Sequence, residues 1–240
     1  MQFDGMPNED GMRRTTSAEA THFSVTQIFG FDAAVRIEAS IDPVSLQTDS
    51  DRKKTFKAAL ATAIKGGTDR IFTGDVKAEI TWFVSEERRY STHIVADVDN
   101  IIKPLFDAVT GPDGILIDDN QVQQIGASWL DAEPGNLKFT MVVTALSPDE
   151  FIPRTNLKFV DFGSPYGCML LPDGPRMLRR MLMKTTADAI RHHRELLATG
   201  IEPVAARMHM PIQRFYPSAR LRGFKVEPLS TAQASLLADP

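Results

Sequence analysis

Between Phe31 and Ile41, apolar and polar residues alternate. Val35, Ile37, Ala39 and Ile41 fall on one side of an extended backbone, with Arg36, Glu38 and Ser40 on the other. That period of two predicts a half-buried strand. The next segment, "DSDRKKTFKAALATAIKGG", spaces Phe56, Leu60 and Ile64 four apart and ends on Gly66-Gly67. It predicts a helix that Ser50 or Asp51 can cap. Asp75 to Val84 alternates again, with Val76, Ala78, Ile80, Trp82 and Val84 on one face, and predicts a second strand running into a charged loop, "SEERRYSTH". Ile101, Ile102, Leu105, Phe106 and Val109 return to helical spacing before "TGPDG" breaks it. "GILIDDNQVQQIGASWL" and "NLKFTMVVTAL" then read as two more strands, joined by the turn "DAEPGN". The order strand, helix, strand, helix, strand, strand describes a small α+β domain over residues 23–149. Residues 1–22 are polar and aperiodic and read as a disordered leader.

After Glu150 the pattern changes. Pro153, Pro165, Pro172 and Pro175 divide the chain into short pieces, and "RMLRRMLMKTTADAIRHHRELLATG" then offers one amphipathic helix stopped at Gly200. Its apolar stripe reads as Leu178, Met181, Leu182, Ala189 and Leu196. Residues 150–240 are thus expected to form a basic, partly helical extension.

Charge sharpens this division. Through Asp149 the chain carries 14 Lys/Arg against 23 Asp/Glu, a net of −9, and from Glu150 onward 13 against 8, a net of +5. A polyanionic partner would meet the second half first, and part of the acidic excess in the first half invites neutralisation by metal. No apolar run approaches the roughly 18 residues needed to cross a bilayer, and the N-terminal segment lacks the apolar core of a signal peptide, so the expectation is a cytoplasmic protein with no membrane partner. The single cysteine, Cys168, offers no intrachain disulfide and sits in "YGCMLL" as a small core residue would. His192 and His193 lack convincing partner ligands and read as surface residues.

The stretch from Val95 to Val122 gathers charge where folding gains nothing from repulsion. Asp97 and Asp99, two apart in an extended backbone, point to the same side. Asp99 or Asn100 can also cap the following helix, which with Asn100 as cap makes Pro104 its fourth residue, where the missing N–H is harmless. Lys103 stands four residues after Asp99 and four before Asp107, so the three share a helix face. If the next strand pairs in the same sheet, Asp118 and Asp119 return beside them. Hard oxygen ligands in this number suit Mg2+ or Mn2+, and such sites serve phosphoryl transfer and hydrolysis. A plain reading stands beside it: Asp99 as a cap, Lys103 and Asp107 as a surface pair, Asp118-Asp119 as a turn.

The pattern "DVDNIIKPLFDAVTG…ILIDDNQV" resembles the RusA family of Holliday junction resolvases, with its Asp-x-Asp-Asn, helix lysine and Asp-Asp-x-x-Val. The resemblance covers the element order from about Phe31 to Leu146. It implies a small α+β homodimer that cuts four-way DNA junctions with Mg2+. Residue by residue, it assigns the Asp-x-Asp to Asp97 and Asp99, the lysine to Lys103 and the third essential acid to Asp119, leaving Asp118 as a weaker metal ligand. Two features depart from the family. The segment before Asp97 offers only Arg88 and Arg89, offset by Glu86 and Glu87, and the tail has no counterpart. On the tail, Arg179, Arg180, Arg191 and Arg194, with Arg176 and Lys184, would supply contacts to the DNA backbone. The alternative is a non-catalytic branched-DNA-binding or phage-type accessory protein on the same fold, favoured by the missing basic loop.

Overall fold

A computed structural model describes residues 22–28, 30, 33–91, 97–131, 136–210 and 214–238. The expected leader apart from His22, the start of strand one at Phe31, the residues just before Asp97 and most of the "DAEPGN" turn lie outside the described residues. The chain divides into two compact units, residues 1–152 and 153–240.

In chain order, the first unit contains β1 (Phe23–Ile28), β2 (Ala34–Ala39), α1 (Ser50–Gly67), β3 (Arg70–Phe72), β4 (Val76–Phe83), α2 (Glu86–Ser91), α3 (Val98–Val109), β5 (Val122–Leu130), β6 (Phe139–Ala145) and, at its end, β7 (Phe151–Pro153). Five strands make one sheet in the order β1-β2-β6-β4-β5, antiparallel except for β4 and β5, which run parallel. A parallel pair cannot be closed by a hairpin, so the chain between them must cross over one face of the sheet, and α2 and α3 occupy that crossover.

The alternation seen in the sequence decides which face is covered. Val35, Ile37 and Ala39 of β2, Val76, Ala78, Ile80 and Trp82 of β4, and Phe139, Met141 and Val143 of β6 form one core with Phe56, Leu60, Ala63 and Ile64 of α1 and Ile101, Leu105, Phe106 and Val109 of α3. Phe56 stacks on Phe139 at 6.3 Å and meets Phe23 edge-on at 5.2 Å, which docks α1 across the sheet. Gly67 at the end of α1 lies where any Cβ would run into the Val25 side chain, so the helix approaches β1 only because that residue is glycine.

Helix boundaries differ from the expectation at both sites. Asp49, not Ser50 or Asp51, caps α1, its carboxylate accepting from the N–H groups of Arg52 at 2.8 Å and Asp51 at 3.1 Å. The Arg52 bond, ahead of that from Asp51, holds the Asp49 carboxyl below the usual range. The cap of α3 is Asp97, and the helix begins at Val98. Pro104 is therefore the seventh helical residue, not the fourth, and the Asn100 carbonyl loses the N–H that would have bonded it. That carbonyl instead accepts from the Leu46 N–H at 2.9 Å. The loop before α1 thus repairs the defect and pins the start of α3. "EERRYS", expected as part of a loop, is helical as α2. At the far end of α3, Gly111 takes φ +106° to turn the chain, and the Val109 carbonyl accepts from Ile115 and Leu116 at 2.7 and 3.1 Å. Residues 115–117 make only isolated bridges, Leu116 pairing with Phe72 and Thr110, so the strand expected from Gly114 starts at Val122.

The second unit has more regular structure than the sequence suggests. β8 (Phe159–Asp161), β9 (Cys168–Leu170), β10 (Phe215–Tyr216) and β11 (Val226–Pro228) form a sheet in the order β10-β9-β8-β11. With α4 (Arg176–Ala198), α5 (Pro203–Arg207) and α6 (Leu229–Ala238), it has its own core of Val160, Phe162, Met169, Leu171, Met183, Ile190, Ala232 and Leu236. Strands of two or three residues are too short to register as alternation. The buried stripe of α4 is Met183, Thr186 and Ile190, whereas Leu178 and Met181 are 53% and 59% exposed. Both stripes satisfy helical spacing, and packing on the sheet selected the second. Cys168 is fully buried, and burial pushes its thiol up, away from the reactive thiolate.

Candidate active site

Asp107 and Asp119 meet at Lys103, between α3 and the start of β5. Lys103, on the exposed face of α3, donates from Nζ to Asp107 Oδ1 at 2.7 Å and to Asp119 Oδ2 at 2.6 Å. The spacing of four between Lys103 and Asp107 gave the first contact, and the return of the chain through "TGPDG" gave the second. Asp107, and then Asp119, hold the Lys103 ammonium above the ordinary lysine range. The ammonium is therefore directed to Asp107 and Asp119, and not to Asp99, with which the spacing of four had also placed it on one face.

Asp97 and Asp99 do not sit two apart on an extended strand. Asp97 is the N-cap residue, with φ −66° and ψ 154°, and Asp99 is already in the first turn of α3. Asp97 makes no side-chain capping bond, so its exposed carboxylate is not used by the helix. Both carboxylates lie at the positive end of the α3 dipole, which favours negative charge there.

Asp118 and Asp119 differ as neighbours on a strand would, though they belong to a 3-10 turn, Asp119–Gln121, placed just before β5. Asp118 is buried at 4% exposure, and its carboxylate accepts from the Asn120 N–H at 2.9 Å. Asp119 faces outward to Lys103. Sequence reading overlooked Gln121, which is 1% exposed and holds the turn through its side-chain amide. A polar residue inside an otherwise apolar run was the available signal.

All four aspartates offer oxygen, the donor class of hard dications, and Mg2+ can be held by one or two carboxylates with water completing its shell. Among the described residues, however, no three Asp, Glu, His or Cys side chains come together as a group able to hold a metal ion. The residues fit the ligand chemistry of Mg2+ or Mn2+ but do not assemble the three- or four-carboxylate centre expected from the sequence.

The expected DNA contacts are partly engaged within each unit. Arg88 forks onto Asp42, at 2.8 Å to Oδ2 and 3.3 Å to Oδ1, and Asp42 also accepts from Trp82 Nε1 at 3.3 Å. Arg89 lies over the Trp129 ring at 3.8 Å, and Trp129 stacks on Trp82 at 5.8 Å. Arg88 therefore anchors α2 to the segment that follows β2, and Arg89 anchors it to β5. On α4 of the second unit, Arg180 is exposed and Arg179 half-buried, Arg191 pairs with Asp188 at 2.9 Å, and Arg194 lies over the Tyr166 ring at 5.1 Å. His193 Nδ1 and the Tyr166 hydroxyl share a hydrogen bond of 2.7 Å, so that histidine is half-buried and not a plain surface residue.

Comparison with known proteins places this geometry inside a recognised segment. Residues 44–138 match the family model for endodeoxyribonuclease RusA, a span that includes Asp97, Asp99, Lys103, Asp118 and Asp119 and less than half of the chain. RusA is an endodeoxyribonuclease family whose members act on Holliday junctions and are generally dependent on divalent metal. No curated protein matches the chain. Among solved structures, one from Salmonella typhimurium described as a candidate translation initiation inhibitor is similar at 15% identity with a TM-score of 0.21, covering 51% of this chain and 96% of that one. No helix among the described residues is long and apolar enough to cross a membrane.

Proposed function

From the RusA match over residues 44–138, we propose that this protein is a divalent-metal-dependent endonuclease that resolves four-way DNA junctions in recombination and repair, working as a homodimer because symmetric cleavage needs two sites. The observation that carries the proposal is Lys103 bridging Asp107 and Asp119, inside the matched segment, with Asp97 and Asp99 on the same helix.

Mg2+ or Mn2+ would be held by one or two of the carboxylates of Asp97, Asp99 and Asp119 with water completing its shell, and when bound would polarise the scissile phosphate and supply an activated water. Lys103 supplies positive charge where negative charge builds on the phosphate, and Asp107 and Asp119 keep it protonated and aimed. Asp118 acts through the backbone, shaping the turn that presents Asp119. The α3 N-terminus favours the anionic groups gathered there. Backbone contacts to the junction arms come from Arg179, Arg180, Arg191 and Arg194, with Arg88 and Arg89 contributing less because they already serve Asp42 and Trp129.

The deciding experiment incubates purified protein with labelled four-way, three-way and linear DNA, with Mg2+, with Mn2+ and with chelator. Paired nicks in the four-way junction that need the metal support the proposal. Junction binding without cutting under every metal condition would instead support a non-catalytic junction-binding protein. That second reading draws on the absence of a three-ligand metal group among the described residues.

A further inference from the structure

The side chain of Gln121 makes a complete set of hydrogen bonds in a place where an apolar residue would pack more easily. Its Oε1 accepts from the Ile117 N–H at 2.7 Å and the Asp118 N–H at 2.9 Å. Its Nε2 donates to the Phe72 carbonyl at 2.9 Å and the Gly74 carbonyl at 2.8 Å. A primary amide has two donors and two acceptor lone pairs, and all four are used. The carbonyls on one side and the N–H groups on the other leave the amide one orientation.

The partners define what is being held. Phe72 closes β3 and Gly74 follows it, while Ile117 and Asp118 lead into the turn that carries Asp119. Gln121 therefore ties the Asp118–Gln121 turn to β3, a segment distant in sequence. The opposing bond completes the arrangement, since Asp118 caps the same turn from the other side. Directly after the turn, the β4–β5 register slips, Val76 facing Val122 but Lys77 facing Gln124. Such a bulge re-aims the strand that carries it. Turn, clamp and bulge together fix where the Asp119 carboxylate stands relative to Lys103, which reaches it from another element.

We propose that Gln121 is a positioning residue that sets the Asp119 carboxylate against Lys103. The inference rests on the nuclease reading for its catalytic consequence, but not for its geometric one. Its nearest substitutes fall short: Glu keeps the two acceptor bonds and loses both donors, Met keeps the shape and loses all four bonds, and Asn is shorter by one methylene.

The test compares wild type with Gln121→Met, Gln121→Glu and, as a control for general loss of stability, Val35→Ala in the core of β2. Two readouts are taken where each variant is folded. The first is NMR of the Lys103 ammonium and the Asp119 carboxyl carbon, which reports their hydrogen bond whether or not the protein cuts DNA. The second is single-turnover junction cleavage beside junction affinity. The expected result is loss of the Lys103 ammonium signal and a shifted Asp119 carbon in Gln121→Met, a smaller change in Gln121→Glu and none in Val35→Ala. Cleavage in Gln121→Met should fall about 10- to 100-fold with affinity nearly unchanged, the usual consequence of losing a residue that orients a site ligand. Should Gln121→Met fail to fold, Gln121→Glu decides by the same signals. Unaltered Lys103 and Asp119 signals in a folded Gln121 variant, or equal changes in Val35→Ala, overturn the proposal. If wild type cuts no DNA, the nuclease reading fails while the NMR result still decides the role of Gln121.

Discussion

Replacing Lys103 by Ala separates a catalytic role from a structural one because the two predict effects of different size. The substitution removes both ion pairs, Lys103 to Asp107 and Lys103 to Asp119. Their side chains are 55%, 56% and 33% exposed, so water screens both interactions. Exposed pairs are typically worth about 0.2–1 kcal/mol each, and the loss of both should cost about 1 kcal/mol. In a unit of this size that lowers the melting temperature by roughly 2–4 °C. Loss of a charge that stabilises the transition state costs far more, about 3–4 kcal/mol, or roughly 10²–10³ in rate. Single-turnover cleavage of a labelled junction should therefore fall by two to three orders of magnitude, roughly, while binding in Ca2+ changes little.

The pH dependence follows from the same contacts. Asp107 and Asp119 raise the Lys103 pKa above the ordinary 10.5. A raised pKa means that the ammonium's contribution is complete below the unfolded value and is lost only as pH rises through the folded one. No lysine limb should enter the rate profile between about pH 7 and 9. A Lys103→Ala protein with weakened binding and an unaltered single-turnover rate would make Lys103 an ordinary phosphate contact. A melting temperature lowered by tens of degrees would make it structural.

Asp97→Asn and Asp119→Asn each remove a ligand charge at nearly constant shape, so cleavage should be abolished with junction affinity retained; full cleavage by either variant at saturating Mg2+ refutes that residue's role. Arg89→Ala removes the guanidinium from Trp129, and should cost about 1 kcal/mol and change tryptophan fluorescence, whereas an unchanged spectrum and melting temperature would contradict the stacking. Truncation after Ile152 should leave a folded first unit that binds junctions more weakly and with a shallower salt slope, because residues 153–240, with 13 Lys/Arg against 7 Asp/Glu and a net of +6, have been removed; equal slopes would make the second unit structural. Truncation after Ser147 should be worse for stability by about 3–5 kcal/mol, since it also removes Phe151, which is 1% exposed and stacks on Phe72 at 4.3 Å; equal thermal melts of the two truncated forms would contradict this.

Period and punctuation were enough to determine the main elements of the first unit. The alternation at Val35–Ala39 and Val76–Trp82 and the helical spacing at Phe56–Ile64 and Ile101–Val109 are local properties, because each chain segment presents a face whatever it later packs against. The motif around Asp97–Val122 was legible for a related reason: its spacing of four put Lys103 and Asp107 on one face, and "TGPDG" forced the return.

What the chain could not disclose locally was decided by partners far away in sequence. The Leu46 N–H at the Asn100 carbonyl lets α3 begin at Val98 with a proline as its seventh residue, which moved Asp99 from a strand into a helix. The Arg89–Trp129 stack and the Arg88–Asp42 fork turned an expected charged loop into an anchored helix. On α4, two apolar stripes competed on equal local terms, and packing on a sheet of two- and three-residue strands buried Met183 and Ile190 in place of Leu178 and Met181. The turn that carries Asp119 is held by Gln121 through carbonyls of Phe72 and Gly74, nearly 50 residues earlier. A buried amide is stable only when every bond is matched, and only the folded chain brings those four backbone groups to one point.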